Sequence, residues 1–211
     1  MGDVAWFPHD LIHEFWYAES LDKPETLDDQ ARLWFASNDL IDFEIKRRFA
    51  RLFEPLLALE PASLAGPRQV LAAVLTLDQF SRKCFRSTPK AFAYDAKALE
   101  FLDYAIDRNL HDSLEPLEKA FLYMPLQNAE NISRQKAGGK KFRELAESAA
   151  EPYKTWLQGM AKYARQQRVI IERFGRFPHR NRILGRKPMS EELEYLTSDG
   201  NNFVRQVWTE R

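Results

Sequence analysis

Between positions 165 and 187 the chain gathers Arg165, Arg168, Arg173, Arg176, Arg180, Arg182, Arg186 and Lys187 around one acid, Glu172. Lysine plus arginine and aspartate plus glutamate stand at 31 each over the whole chain, so this is a local excess of positive charge. Arginine suits an anion site because its planar fork donates two parallel hydrogen bonds to a carboxylate or phosphate and stays charged. The stretch 173–182 also interleaves its cations with Phe174, Phe177 and His179 after a helix stop at Gly175. The competing expectation is that these arginines pair with acids on neighbouring helices and staple an irregular segment to the body.

A second polar cluster, Asp78, Gln79, Ser81, Arg82, Lys83 and Arg86, directly follows the most apolar run of the chain. Arg82 and Arg86 are four apart and share a face if the helix continues that far. Asp78 either fixes an arginine of the 173–182 stretch, joining the two clusters, or caps local backbone. Glu130, amid Gln127, Asn128 and Asn131, is the candidate lone carboxylate, able to act as general acid or base if burial raises its pKa. His9 and His13 have the spacing of a metal pair, but Asp10 replaces the glutamate of His-Glu-x-x-His and no third ligand is evident, so no metal is expected. The basic neighbours of Cys84 favour a thiolate, yet without a placed histidine a small core residue is the expected role. No glycine-rich phosphate loop, Gly-x-Ser-x-Gly elbow or Cys-x-x-Cys pair occurs, and no cofactor is expected.

The elements that must hold these residues read as helices. Pro8 opens a first helix with Leu11, Ile12, Phe15 and Trp16 on one face. Residues 18–38 read as a loop with a helical turn, with Trp34 and Phe35 packing back on the body. From Asp39, apolar positions recur at steps of three and four until Pro55, which should kink or end the helix. Val70 to Leu77 form the most buried helix. Ser87-Thr88-Pro89 caps a long helix through Phe92 and Ile106, with Asn109 as its stop. A helix over 114–124 breaks at Pro125, and the next carries Phe142 and Leu145 with Gly138-Gly139 weakening its middle. Pro152 opens a helix that Gly175 closes, residues 176–188 are irregular, and Ser190 starts a short helix that Gly200 ends.

No window alternates apolar and polar residues, so the expectation is an all-α fold of about eight helices in antiparallel hairpins, a bundle or solenoid. At 211 residues, with 45% hydrophobic and 29% charged residues, one domain over 8–200 with a tail at 201–211 accounts for the length. No apolar run approaches the roughly 20 residues of a membrane span. There is no signal-peptide pattern, and a single cysteine suits a reducing compartment, so a cytoplasmic protein without a membrane partner is expected.

Several strings are familiar: Asp78-Gln79-Phe80-Ser81-Arg82, Arg86-Ser87-Thr88-Pro89-Lys90-Ala91-Phe92, Met124-Pro125-Leu126 with Glu130 and Gln135, Phe174-Gly175-Arg176-Phe177-Pro178-His179-Arg180-Asn181, and Leu184-Gly185-Arg186. Together they resemble the bacterial domain of unknown function family 924 over nearly the whole chain. That resemblance implies a tetratricopeptide-like helical fold and brings no established activity. The chain departs from the pattern at Asn128, followed by Ala129, and at Gln167, where histidines are expected. An amide hydrogen-bonds but does not titrate, which weakens a shared acid–base mechanism.

Three functions fit these residues. In a helical binding module, Asp78, Arg82, Arg86, Arg173, Arg176, His179, Arg180 and Asn181 surround a small anion or the acidic end of a peptide. In an enzyme acting on a phosphorylated or carboxylated metabolite, His179 and Glu130 move protons while the arginines clamp the substrate. In a nucleic-acid binder, residues 165–187 contact phosphates and Phe174 or Phe177 stacks on bases. A chain of zero net charge ranks the third last.

Overall fold

The computed structural model describes residues 4–198, all of it helix, turn or loop with no strand among the described residues. The chain resolves into two units: Met1–Arg86 with Lys90–Pro125, and Ser87–Pro89 with Leu126–Arg211. The tail over 201–211 and the stop at Gly200 lie outside the described residues.

The first unit is built on α1 (His9–Tyr17), which buries Ile12, Trp16 and Tyr17. Leu11, expected on that face, is exposed instead, because the buried stripe falls one residue later. Residues 18–38 hold more order than a loop with a turn, since α2 spans Leu27–Phe35 and buries Leu27 and Trp34 seven positions apart. The Trp34 indole donates to the Trp16 carbonyl at 2.8 Å and ties α2 to α1. Asn38 starts α3 (Asp39–Phe49) by accepting from the Leu40 and Ile41 backbone N–H groups.

The expected kink at Pro55 occurs earlier. A 3-10 turn over Ala50–Leu52 ends α3, and Pro55 sits in the first turn of α4 (Phe53–Ala58), where its missing N–H costs nothing. Next, α5 (Pro67–Val74) runs into a π-helical turn over Leu75–Phe80 and then α6 (Ser81–Cys84). The helix therefore does continue to Arg82, through a stretch in which every residue of the π turn is buried. The long helix expected from Pro89 begins later: Pro89–Phe92 is a 3-10 turn after a left-handed Ser87, and α7 spans Asp95–Asp107. A left-handed Asn109 follows its end. Then α8 covers Pro116–Leu122. Helix α1 packs on α5, α5 on α7 and α8, and α3 on α6. Phe121 of α8 lies at the centre, with ring centroids 4.7 Å from Trp34, 5.4 Å from Trp16 and 5.7 Å from Tyr17.

Pro125 does not leave the chain broken, because it falls in the first turn of a short α9 (Met124–Asn128). In the second unit, α10 (Ile132–Ser148) and α11 (Tyr153–Phe174) are joined by four residues and lie side by side, an antiparallel hairpin. Gly138-Gly139 does not interrupt α10. A Cβ at Gly138 would lie 2.9 Å from the Leu126 Cβ, whereas one at Gly139 would meet nothing within 4 Å. Gly138 thus permits a close approach and Gly139 merely dilutes helix propensity. Gly139→Ala is expected to stabilise the protein by about 1 kcal/mol. Gly138→Ala should destabilise it by about 1–2 kcal/mol, since a Cβ cannot swing aside as a flexible chain end can. Paired urea melts of the two variants read the difference. Gly175, at φ +69°, closes α11, and α12 (Ser190–Ser198) follows the irregular segment.

Candidate functional site

The segment after α11 is fixed by two carboxylates. Glu192, fully buried at the start of α12, accepts from Arg176 Nε at 2.7 Å and Nη2 at 2.8 Å, from Asn181 Nδ2 at 3.0 Å and from the Met189 N–H at 2.7 Å. The Arg176 bonds, helped by Met189 and Asn181 against the effect of burial, hold this carboxyl down at about 2. Glu130 accepts from Arg186 Nη1 at 2.6 Å and Nη2 at 3.0 Å and from the Phe177 N–H at 2.7 Å. Burial pushes Glu130 up, but Arg186, the Phe177 N–H and the nearby Arg180 outweigh it and hold it below the ordinary carboxylate range. Glu130 is therefore an ionised acceptor, the opposite of the raised carboxyl that a general acid needs.

Arg180, itself buried, donates to the Asn128 carbonyl at 3.0 Å and lies 4.6 Å over the Phe177 ring. Phe177 is buried with Ile170, Ile171 and Phe174. Arg173 is exposed beside the Phe174 ring, and His179 is exposed with its ring 5.5 Å from Phe177. Gln167, at one position of an expected histidine, is buried in α11. At the other, Asn128 contributes its carbonyl, while Gln135 donates to the neighbouring carbonyls of Gln127 and Ala129.

Residues of the 78–86 cluster belong to the first unit and carry their own acids. Asp78, wholly buried in the π turn, lies 3.3 Å from Arg82, which also forms a bidentate pair with Asp95 at 2.9 and 3.0 Å. Arg86 grips Asp42 at 2.6 and 3.0 Å. Burial, with Asp42 pulling the other way and Arg86 reinforcing it, lowers Lys83 to about 8. Burial also pushes the Cys84 thiol up to about 12, so the basic neighbours do not produce a thiolate.

Two further arrangements escaped the sequence. His13 of α1 and Arg68 of α5 meet Glu118 of α8, a carboxylate 1% exposed and 105 residues from His13. Only the capping position of Glu118, three after Glu115, hinted at its role. In the second unit, Arg143, Ala146 and Glu147 of α10 face Lys154, Gln158 and Ala161 of α11 across a cleft of about 370 Å³. Neither Arg143 nor Lys154 has an ion-pair partner or a side-chain hydrogen bond among the described residues. Among those residues no group of three or more His, Cys, Asp or Glu is placed to hold a metal ion. No helix there is long and apolar enough to cross a membrane.

A model of a bacterial protein family of unknown function, DUF924, matches residues 12–200. The chain belongs to this family. The DUF924 chain is also similar to the solved structure of a protein of unknown function from Agrobacterium tumefaciens. The two share 32% identity at a TM-score of 0.75, over 92% of this chain and 99% of the other. No curated protein sequence matches it. In this DUF924 protein Glu130 and Glu192 tie down Arg176, Phe177, Asn181 and Arg186 in one unit, while Asp78 and Asp95 hold Arg82 and Asp42 holds Arg86 in the other.

Proposed function

We propose that this protein is a helical binding module that takes up a small anionic ligand in the cleft of the α10/α11 hairpin. The observation that supports this reading is that Arg143 and Lys154 reach one cleft from two helices and neither forms an ion pair among the described residues. An unpaired cation pair in a concave site is completed by an outside carboxylate or phosphate. Glu147 and Gln158 in the same cleft add an acceptor and an amide for a ligand that also bears a hydroxyl or amino group. Arg82, Arg86, Arg176 and Arg186 serve here as internal staples. A tetratricopeptide-like hairpin surface and a cytoplasmic setting belong to the same proposal. An enzyme using His179 and Glu130 draws less support, because Arg186 and the Phe177 N–H occupy both Glu130 oxygens and make it a weaker proton acceptor.

The test is titration calorimetry of the full chain with inorganic phosphate and with citrate. Affinity is expected to fall by about tenfold for each cation lost in Arg143→Ala and Lys154→Ala, with unchanged circular dichroism. Equal affinity in the double variant would place the anion elsewhere and overturn the assignment. Binding that appears only with polynucleotide and collapses between low and moderate salt would favour nucleic acid instead.

A further inference from the structure

In the first unit, Glu118 Oε1 accepts from His13 Nε2 at 2.6 Å and from Arg68 Nε at 2.9 Å, while Oε2 accepts from the Glu115 N–H at 2.8 Å. A neutral imidazole that donates through Nε2 carries its lone pair on Nδ1. The His13 Nδ1 has no hydrogen bond among the described residues, and the side chain is 15% exposed, which leaves this nitrogen as its polar atom for solvent. The Tyr17 ring, 4.8 Å away, fixes the imidazole from one side. Its hydroxyl is buried, and burial together with the Glu118 charge keeps it a neutral phenol. Arg68 spends only Nε on Glu118, and its side chain is 54% exposed, with neither Nη group hydrogen-bonded among the described residues. A buried carboxylate that orients an imidazole whose second nitrogen is open to solvent is the arrangement of a general base. A guanidinium on the same carboxylate oxygen adds an anion clamp beside it.

We propose that His13, Glu118 and Arg68 form a general-base site that hydrolyses a small carboxylic ester bearing a carboxylate or phosphate group. Arg68 Nη groups hold the anionic group. As the oxygen of a water molecule bonds to the ester carbonyl carbon, one of its protons passes to His13 Nδ1. The carbon–oxygen ester bond then breaks, the leaving alkoxide takes that proton back from Nδ1, and an acid and an alcohol depart. Glu118 stays ionised throughout and balances the transient imidazolium. His13 and the outer nitrogens of Arg68 touch the reactants, and Glu118 is a positioning residue.

The test uses the full chain with the monoanionic ester mono-4-nitrophenyl succinate, against the uncharged 4-nitrophenyl acetate. Turnover above the buffer rate is expected, falling on the order of a hundredfold in His13→Gln, whose amide N–H still reaches Glu118 and keeps the fold. Arg68→Gln should raise KM with little change in kcat and erase the preference for the anionic ester. Diethyl pyrocarbonate should modify His13 in the folded protein, read by mass spectrometry. Hydrolysis by His13→Gln at the wild-type rate, or a His13 that the reagent cannot reach, would overturn the proposal.

Discussion

Replacing Glu192 with alanine should destabilise the second unit by about 3–5 kcal/mol, the usual result of removing one partner of a buried ion pair. The carboxylate is fully buried and accepts four hydrogen bonds, two from Arg176 and one each from Asn181 and the Met189 N–H. Its loss strands the Arg176 guanidinium and unfastens the segment over 176–189 from α12. The stabilisation also has a pH signature. Because the folded carboxyl sits at about 2 against an ordinary 4.5, its contribution is complete above pH 4.5 and drains away as pH falls toward 2. Urea melts of wild type and Glu192→Ala should therefore differ most near pH 7 and converge near pH 2.5. A gap under 1 kcal/mol at pH 7, or one that does not narrow in acid, would show that Arg176 is not held in this way.

Phe121→Ala is expected to cost about 3–5 kcal/mol, the range for deleting a fully buried aromatic ring that the surroundings cannot refill. Phe121 is 0% exposed and touches the rings of Trp16, Tyr17, Trp34 and Phe35. It also lies one helical turn after Glu118, so the cavity would loosen the carboxylate that orients His13. Phe121→Leu should recover much of the stability, as a volume-sparing change does. Thermal melts of the two variants rank them, and near-equal melting temperatures would contradict a central role for the ring.

What the sequence made legible follows from how local each signal is. The helix closed at Gly175 and the stop at Asn109 were readable because a left-handed residue leaves its mark at one position. The all-α class followed from apolar spacing alone. Helix α2 was not readable as one, since short polar stretches around a single tryptophan carry little periodicity and its order comes from Trp34 docking on Trp16. For the candidate sites, the arginines were visible and their partners were not. Asp95, Asp42, Glu192 and Glu118 lie between 13 and 105 residues from the arginine and histidine side chains they hold. Distance along the chain carries no information about such pairings until the helices are packed. Arg143 and Lys154 were hidden for the opposite reason: each looks like an ordinary surface charge until the hairpin sets them across one cleft.

The wide turn over Leu75–Phe80 accommodates one residue more than a regular α-helix would over the same rise. Because the turn absorbs that residue, Ser81 and Arg82 keep the facing that a regular α-helix one residue shorter would give them. Forcing the same stretch into an even α-helical ladder with no residue removed would turn everything from Ser81 onward by about 100°, and Arg82 would point away from Asp95. The pairing of these two residues thus depends on the girth of one turn that no inventory of the cluster would single out.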